Sequence, residues 1–184
     1  FLQLLSLPSD QLERWRRDLL AALGEEGKVV SDVIPEISHI IGPQPDIPVL
    51  SGMASQLRFN AVFSQLLGVF AQPAHPLVVF LDDLQWIDAA SLALIEATGV
   101  RQTGNALLLL GAYRDNEVPE THPLLHTLDT FKKAGIDSRQ LTLASLEDSD
   151  VQQIVLEACD HRILDSQELS ARVMQETCGN PFFT

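Results

Sequence analysis

A chain of 184 residues, 46% of them hydrophobic, can build a real core, which excludes a disordered segment and suits one domain or part of a larger one. Its net charge of −13 repels phosphate backbones and argues against nucleic-acid binding, and no apolar run is long enough to span a membrane. Its two cysteines, Cys159 and Cys178, make neither a C-x-x-C pair nor a disulfide framework, as expected of idle thiols in a reducing, cytoplasmic compartment.

In chain order, Ser9 to Leu23 reads as an amphipathic helix, with Leu12, Trp15, Leu19 and Leu23 at helical spacing and Gly24 as its stop. Gly42 to Pro48 holds three prolines and reads as a loop. Met53 to Phe70 is a second helix, with Leu57, Phe63, Leu66, Leu67 and Phe70 on or near one face. The pattern then changes. Pro76 to Leu81 is a short, β-branched apolar run closed by Asp82 and Asp83, which predicts a strand buried on both faces.

A helix is predicted over Ala89–Val100 with Asp88 as N-cap. A second apolar run, Ala106 to Ala112, ends at Tyr113-Arg114. Thr121 is placed to cap a helix from about His122 to Ala134, with Pro123 in its first turn and Gly135 ending it. Gln140 to Leu143 reads as a third short strand. Strand alternating with helix predicts an α/β fold with a parallel sheet. Two helices close the chain: one through Cys159, with Ser145 and Asp148 spaced to cap it, and one from about Ser166 to Cys178, ended by Gly179. The organisation expected is a helical segment over 1–72, an α/β core over 73–145 and a helical part over 146–184.

Three features could carry chemistry. In parallel sheets ligands bind at the carboxyl ends of strands, so Asp82 and Asp83 stand where a ligand would be. One carboxylate suits a hydrated Mg²⁺ and its neighbour can polarise an attacking water; a plain strand end with an acidic turn is the equally weighted alternative. Arg114, at the end of the next run, could stabilise a terminal phosphate, or it could be a surface arginine paired with Asp115 or Glu117. Gly179-Asn180-Pro181 taken alone is a corner between helices. His122 and His126, four apart, lack a third ligand and read as surface or capping histidines. Trp86 is expected to pack on the sheet, although it could border a nucleotide.

Together these stretches resemble a known family. PLVVFLDDLQWID (Pro76–Asp88) looks like the Walker B segment of STAND-type, AAA-like P-loop ATPases, LLGAYRDNEV (Leu109–Val118) like their sensor-1 strand and arginine, and CGNPFF (Cys178–Phe183) like their G-x-P element. The N-terminal part, notably Asp32–Glu36 and Ile41–Pro45, is similar to the ATPase modules of bacterial multi-sensor hybrid histidine kinases and serine/threonine kinases. The resemblance implies a partial P-loop NTPase sheet followed by a helical lid. It assigns Mg²⁺ to Asp82, the catalytic-acid position to Asp83, the γ-phosphate to Arg114, and the adenine side of ATP to Gly179 and Pro181. It also implies flanking kinase or sensor domains as partners.

Asp83 stands where many related ATPases carry Glu, and the phosphate loop G-x-x-x-x-G-K-[ST] is missing; the family places it before residue 1. The stretch Gly24–Val29 only imitates that loop, since Ala22 and Val29 stand where a glycine and a hydroxyl belong, and it follows a helix. The function expected is a nucleotide-driven switch, with a non-hydrolysing interaction scaffold as the alternative. An intact phosphate loop upstream would separate the two.

Overall fold

The computed structural model describes residues 2–101, 106–159, 166–181 and 183. The chain divides into two compact units, Phe1–Ser138 and Arg139–Thr184.

The first unit opens with helices α1 (Leu2–Leu5), α2 (Ser9–Leu23), α3 (Gly27–Ser31), α4 (Ser38–Ile41) and α5 (Gly52–Phe70). Of the apolar positions that predict α2 and α5, Leu19, Leu23 and Leu66 join Val30, Ile37, Ile40, Ile41 and Val62 in one buried cluster, whereas Leu57 is exposed. The glycine that stops α2 does so at φ 54, after which the chain makes a short 3₁₀ turn and α3 rather than an open turn. Trp15 is half-buried and stacks on Phe70 of α5 with ring centroids 5.1 Å apart.

Beyond α5 come β1 (Leu77–Leu81), α6 (Ala89–Arg101), β2 (Leu107–Gly111) and α7 (Pro123–Lys133). The two strands pair in parallel, Leu77 with Leu107 through Leu81 with Gly111, as the two apolar runs predict. A parallel pair needs a crossover, and α6 lies on that connection. Ser64 of α5 joins α6 through its hydroxyl, 3.1 Å from that of Thr98.

Several expectations are corrected. β1 is not buried on both faces: it alternates, and Val78 and Phe80 share an open face with Leu108 and Leu110 of β2, with Phe80 60% exposed. No described element covers that side. Gln140–Leu143 is not a strand; it runs without regular structure, with Leu141 83% and Leu143 84% exposed. A short apolar segment becomes a strand only by pairing, and among the described residues the sheet contains β1 and β2 alone. The cap of α7 is His122 rather than Thr121, because the imidazole Nδ1 accepts the Leu124 N–H at 3.2 Å. Trp86 does not pack on the sheet and is 70% exposed.

The second unit contains α8 (Asp148–Ala158) and α9 (Ser166–Thr177). Glu147, not Ser145, caps α8: its side chain accepts from the Asp150 backbone, and the Asp150 carboxylate accepts the Glu147 N–H at 2.9 Å. Val151, Val155 and Ser170 are buried. After α9, Cys178 and Gly179 both take left-handed conformations, and the Gly179 carbonyl accepts the Leu146 N–H at 2.8 Å. A side chain at Gly179 would collide with the Leu146 backbone. Phe182, part of the motif noted above, lies outside the described residues.

Candidate functional site

The ends of the two parallel strands are tied together beyond the regular ladder. The Ala112 N–H donates to the Leu81 carbonyl at 2.8 Å, and the Leu84 N–H donates to the Ala112 carbonyl at 3.0 Å. These bonds hold Asp82 and Asp83 in a short loop against the segment that leads to Arg114. Gly111 permits the approach, since a Cβ there would meet the Leu84 side chain. Leu84 is buried with Leu92 and Leu124, which anchors the loop.

Asp82 and Asp83 are both exposed at this corner. Asp82 Oδ1 accepts the Asp83 N–H at 2.9 Å, which leaves most of its lone pairs facing solvent. Asp83 adopts φ 53, a left-handed conformation that aspartate tolerates better than most residues. The turn carries the chain into a 3₁₀ segment, Leu84–Trp86. An open depression of about 520 Å³ adjoins it, lined in part by Phe80, Asp82, Asp83, Trp86, Asp88 and Ser91.

Sequence reasoning passed over Gln85, which is 6% exposed and joins the two strand ends. Its Nε2 donates to Asp83 Oδ1 at 2.9 Å, and its Oε1 accepts the Arg114 N–H at 3.3 Å. The orientation of the amide follows from these partners, because a carboxylate only accepts and a backbone N–H only donates. The Gln85 carbonyl lies 3.1 Å from His122 Nε2. Since Nδ1 of that ring accepts from Leu124, the neutral imidazole with its proton on Nε2 satisfies both contacts.

Arg114 thus reaches the corner through its backbone. Its guanidinium is exposed and pairs with Glu117 at 3.2 Å, which is the arrangement of the surface alternative. Asp88 caps α6 as predicted: Oδ1 accepts from Ala90 N at 2.8 Å and Ser91 N at 2.9 Å, and Oδ2 from the Ser91 hydroxyl at 2.8 Å. The bonds from Ser91, backbone and hydroxyl, hold its carboxyl below the ordinary aspartate range. Gly179 and Pro181 belong to the second unit, with Gly179 buried and Pro181 exposed.

Among the described residues no cluster of three or more His, Cys, Asp or Glu side chains could hold a metal by itself. The exposed Asp82 carboxylate is an oxygen donor of the kind that suits Mg²⁺, an ion that keeps several of its waters.

Residues 1–110 match the AAA ATPase domain family. The chain belongs to that family. The AAA ATPase domain is also 40% identical over 93 residues to hybrid signal transduction histidine kinase G of Dictyostelium discoideum, a region covering 50% of this chain and 3% of that protein. That relative is not bacterial. No solved structure matches. Membership in the family implies nucleotide binding. Among the described residues of the domain, no helix is long and apolar enough to cross a membrane.

Proposed function

We propose that this AAA ATPase domain is the nucleotide-driven switch of a multidomain sensor kinase, of the STAND kind. The observation that carries the reading is the junction at the strand ends: two adjacent carboxylates after β1, tied by hydrogen bonds to the segment that delivers Arg114. Asp82 would hold Mg²⁺ beside the triphosphate of ATP. Bound there, the metal supplies charge neutralisation on the phosphate oxygens. Asp83 would orient and polarise the attacking water, held in place by Gln85. Arg114 would exchange Glu117 for the γ-phosphate, where its charge counters that of the transition state. Gly179 and Pro181 are assigned to the adenine end, within a helical lid.

The triphosphate also needs a phosphate-binding loop. None of the form G-x-x-x-x-G-K-[ST] occurs in the 184 residues, so the reading requires it from elsewhere in the polypeptide. In this scheme hydrolysis changes how the flanking kinase or sensor domains are presented. A cytoplasmic setting suits the free Cys159 and Cys178.

One observation favours a second reading, a scaffold that never hydrolyses ATP: the Arg114 guanidinium is already paired with Glu117. Steady-state ATP hydrolysis by the full-length protein separates the two. Metal-dependent turnover in the wild type and its loss in Asp82→Asn are expected. Equal turnover in both would remove Asp82 from the mechanism, and none in either would leave the scaffold.

A further inference from the structure

We propose that Gln85 is a positioning residue for ATP hydrolysis, an inference that rests on the function proposed above. Its carboxamide joins the two strand-end loops that must act together. The Nε2–H group fixes one oxygen of Asp83, and Oε1 fixes the backbone N–H of Arg114. Both bonds are needed from one side chain. Glutamate could accept from Arg114 but, when ionised, would present a like charge to Asp83; methionine would fill the space and make neither bond. Asparagine is one methylene too short to span both partners.

Burial gives the amide its leverage. At 6% exposure, Gln85 has little water to exchange with, and each of its polar atoms has a protein partner. Its backbone is held as well. The His122 ring contacts the Gln85 carbonyl, and that ring is fixed by its bond to Leu124 at the start of α7. Asp83 sits at a left-handed turn, and among the described residues it is this amide that bonds to its carboxylate and sets its direction. Removing the amide therefore frees the Asp83 carboxylate to turn towards solvent while Asp82 keeps its own bond to the Asp83 N–H. Metal and nucleotide affinity should persist, and the alignment of the attacking water should not.

The test is steady-state Mg-ATP hydrolysis and thermal denaturation of the full-length protein carrying Gln85→Met, Gln85→Asn or Asp83→Asn. For folded Gln85 variants, kcat should fall by about tenfold to a hundredfold, the cost of a small misplacement. KM should stay within about twofold of wild type, because binding is not what the amide controls. The asparagine variant keeps a polar group in the buried site should the methionine variant fail to fold. Wild-type kcat in either folded variant overturns the proposal. So does a fall in kcat matched by a rise in KM, or one that only tracks partial unfolding at the assay temperature. Full turnover in Asp83→Asn refutes the catalytic reading itself, and the positioning role with it. Loss in Asp83→Asn with full turnover in Gln85→Met refutes the positioning role alone.

Discussion

Asp88 and Gly179 each serve one turn of chain, and both make measurable claims. The bonds from Ser91, backbone and hydroxyl, and from the Ala90 N–H are stronger to the ionised Asp88 carboxylate than to its neutral form, which holds its pKa below the ordinary value of 3.8. A carboxyl whose folded-state pKa is depressed stabilises the fold above its unfolded-state pKa and loses that contribution as the pH falls through the folded-state value. Asp88→Ala should therefore melt below wild type at neutral pH, and the gap should close as the pH drops below 3.8. A gap unchanged down to the most acid condition would mean the charge is irrelevant to the cap. Gly179 takes φ 71 and an added Cβ would run into the Leu146 backbone, so Gly179→Ala meets both a left-handed conformation and a collision. Denaturant titration should find it about 1–2 kcal/mol less stable or worse.

The helices and the sheet differ in how much of them is local, and this decides what could be read in advance. The bounds of α2 and α5 follow from apolar spacing, and the cap of α6 from one aspartate next to the first turn, so each was visible within a dozen residues. The pairing of β1 with β2 was legible because both runs are apolar and a helix separates them. Strand status at Gln140–Leu143 was not, because it depends on a partner strand and not on the segment itself. Nor was the open face of β1, since an apolar run looks the same whether or not something covers it. Gln85 was hidden for a related reason: its partners Arg114 and His122 come 29 and 37 residues later. At the site, Asp82 and Asp83 were legible as a pair beyond a strand, whereas the bond between Arg114 and Glu117 was one of two pairings the sequence allowed. The contrast between core and open face has its own consequence. Leu66, fully buried in the helical cluster, should cost about 2–5 kcal/mol on truncation to Ala. Leu108→Ser, on the open face of β2, should change the stability of this chain by no more than about 0.5 kcal/mol. Comparable losses at both positions would show that the sheet face is covered.

Taken whole, the chain is a helical unit joined to a small parallel sheet, followed by a second helical unit, with membership in the AAA ATPase domain family established over residues 1–110. Its acidic balance is no obstacle to a nucleotide, which is held by local groups and a metal rather than by net charge. The account depends on the corner after β1 being a metal site. The most direct measurement is the affinity of the full-length protein for ATP, with and without Mg²⁺, in the wild type and in Asp82→Asn. The wild type should bind ATP more tightly with the metal, and the variant should show little gain from it. A variant that keeps the full metal-dependent gain would place the ion elsewhere and contradict the account.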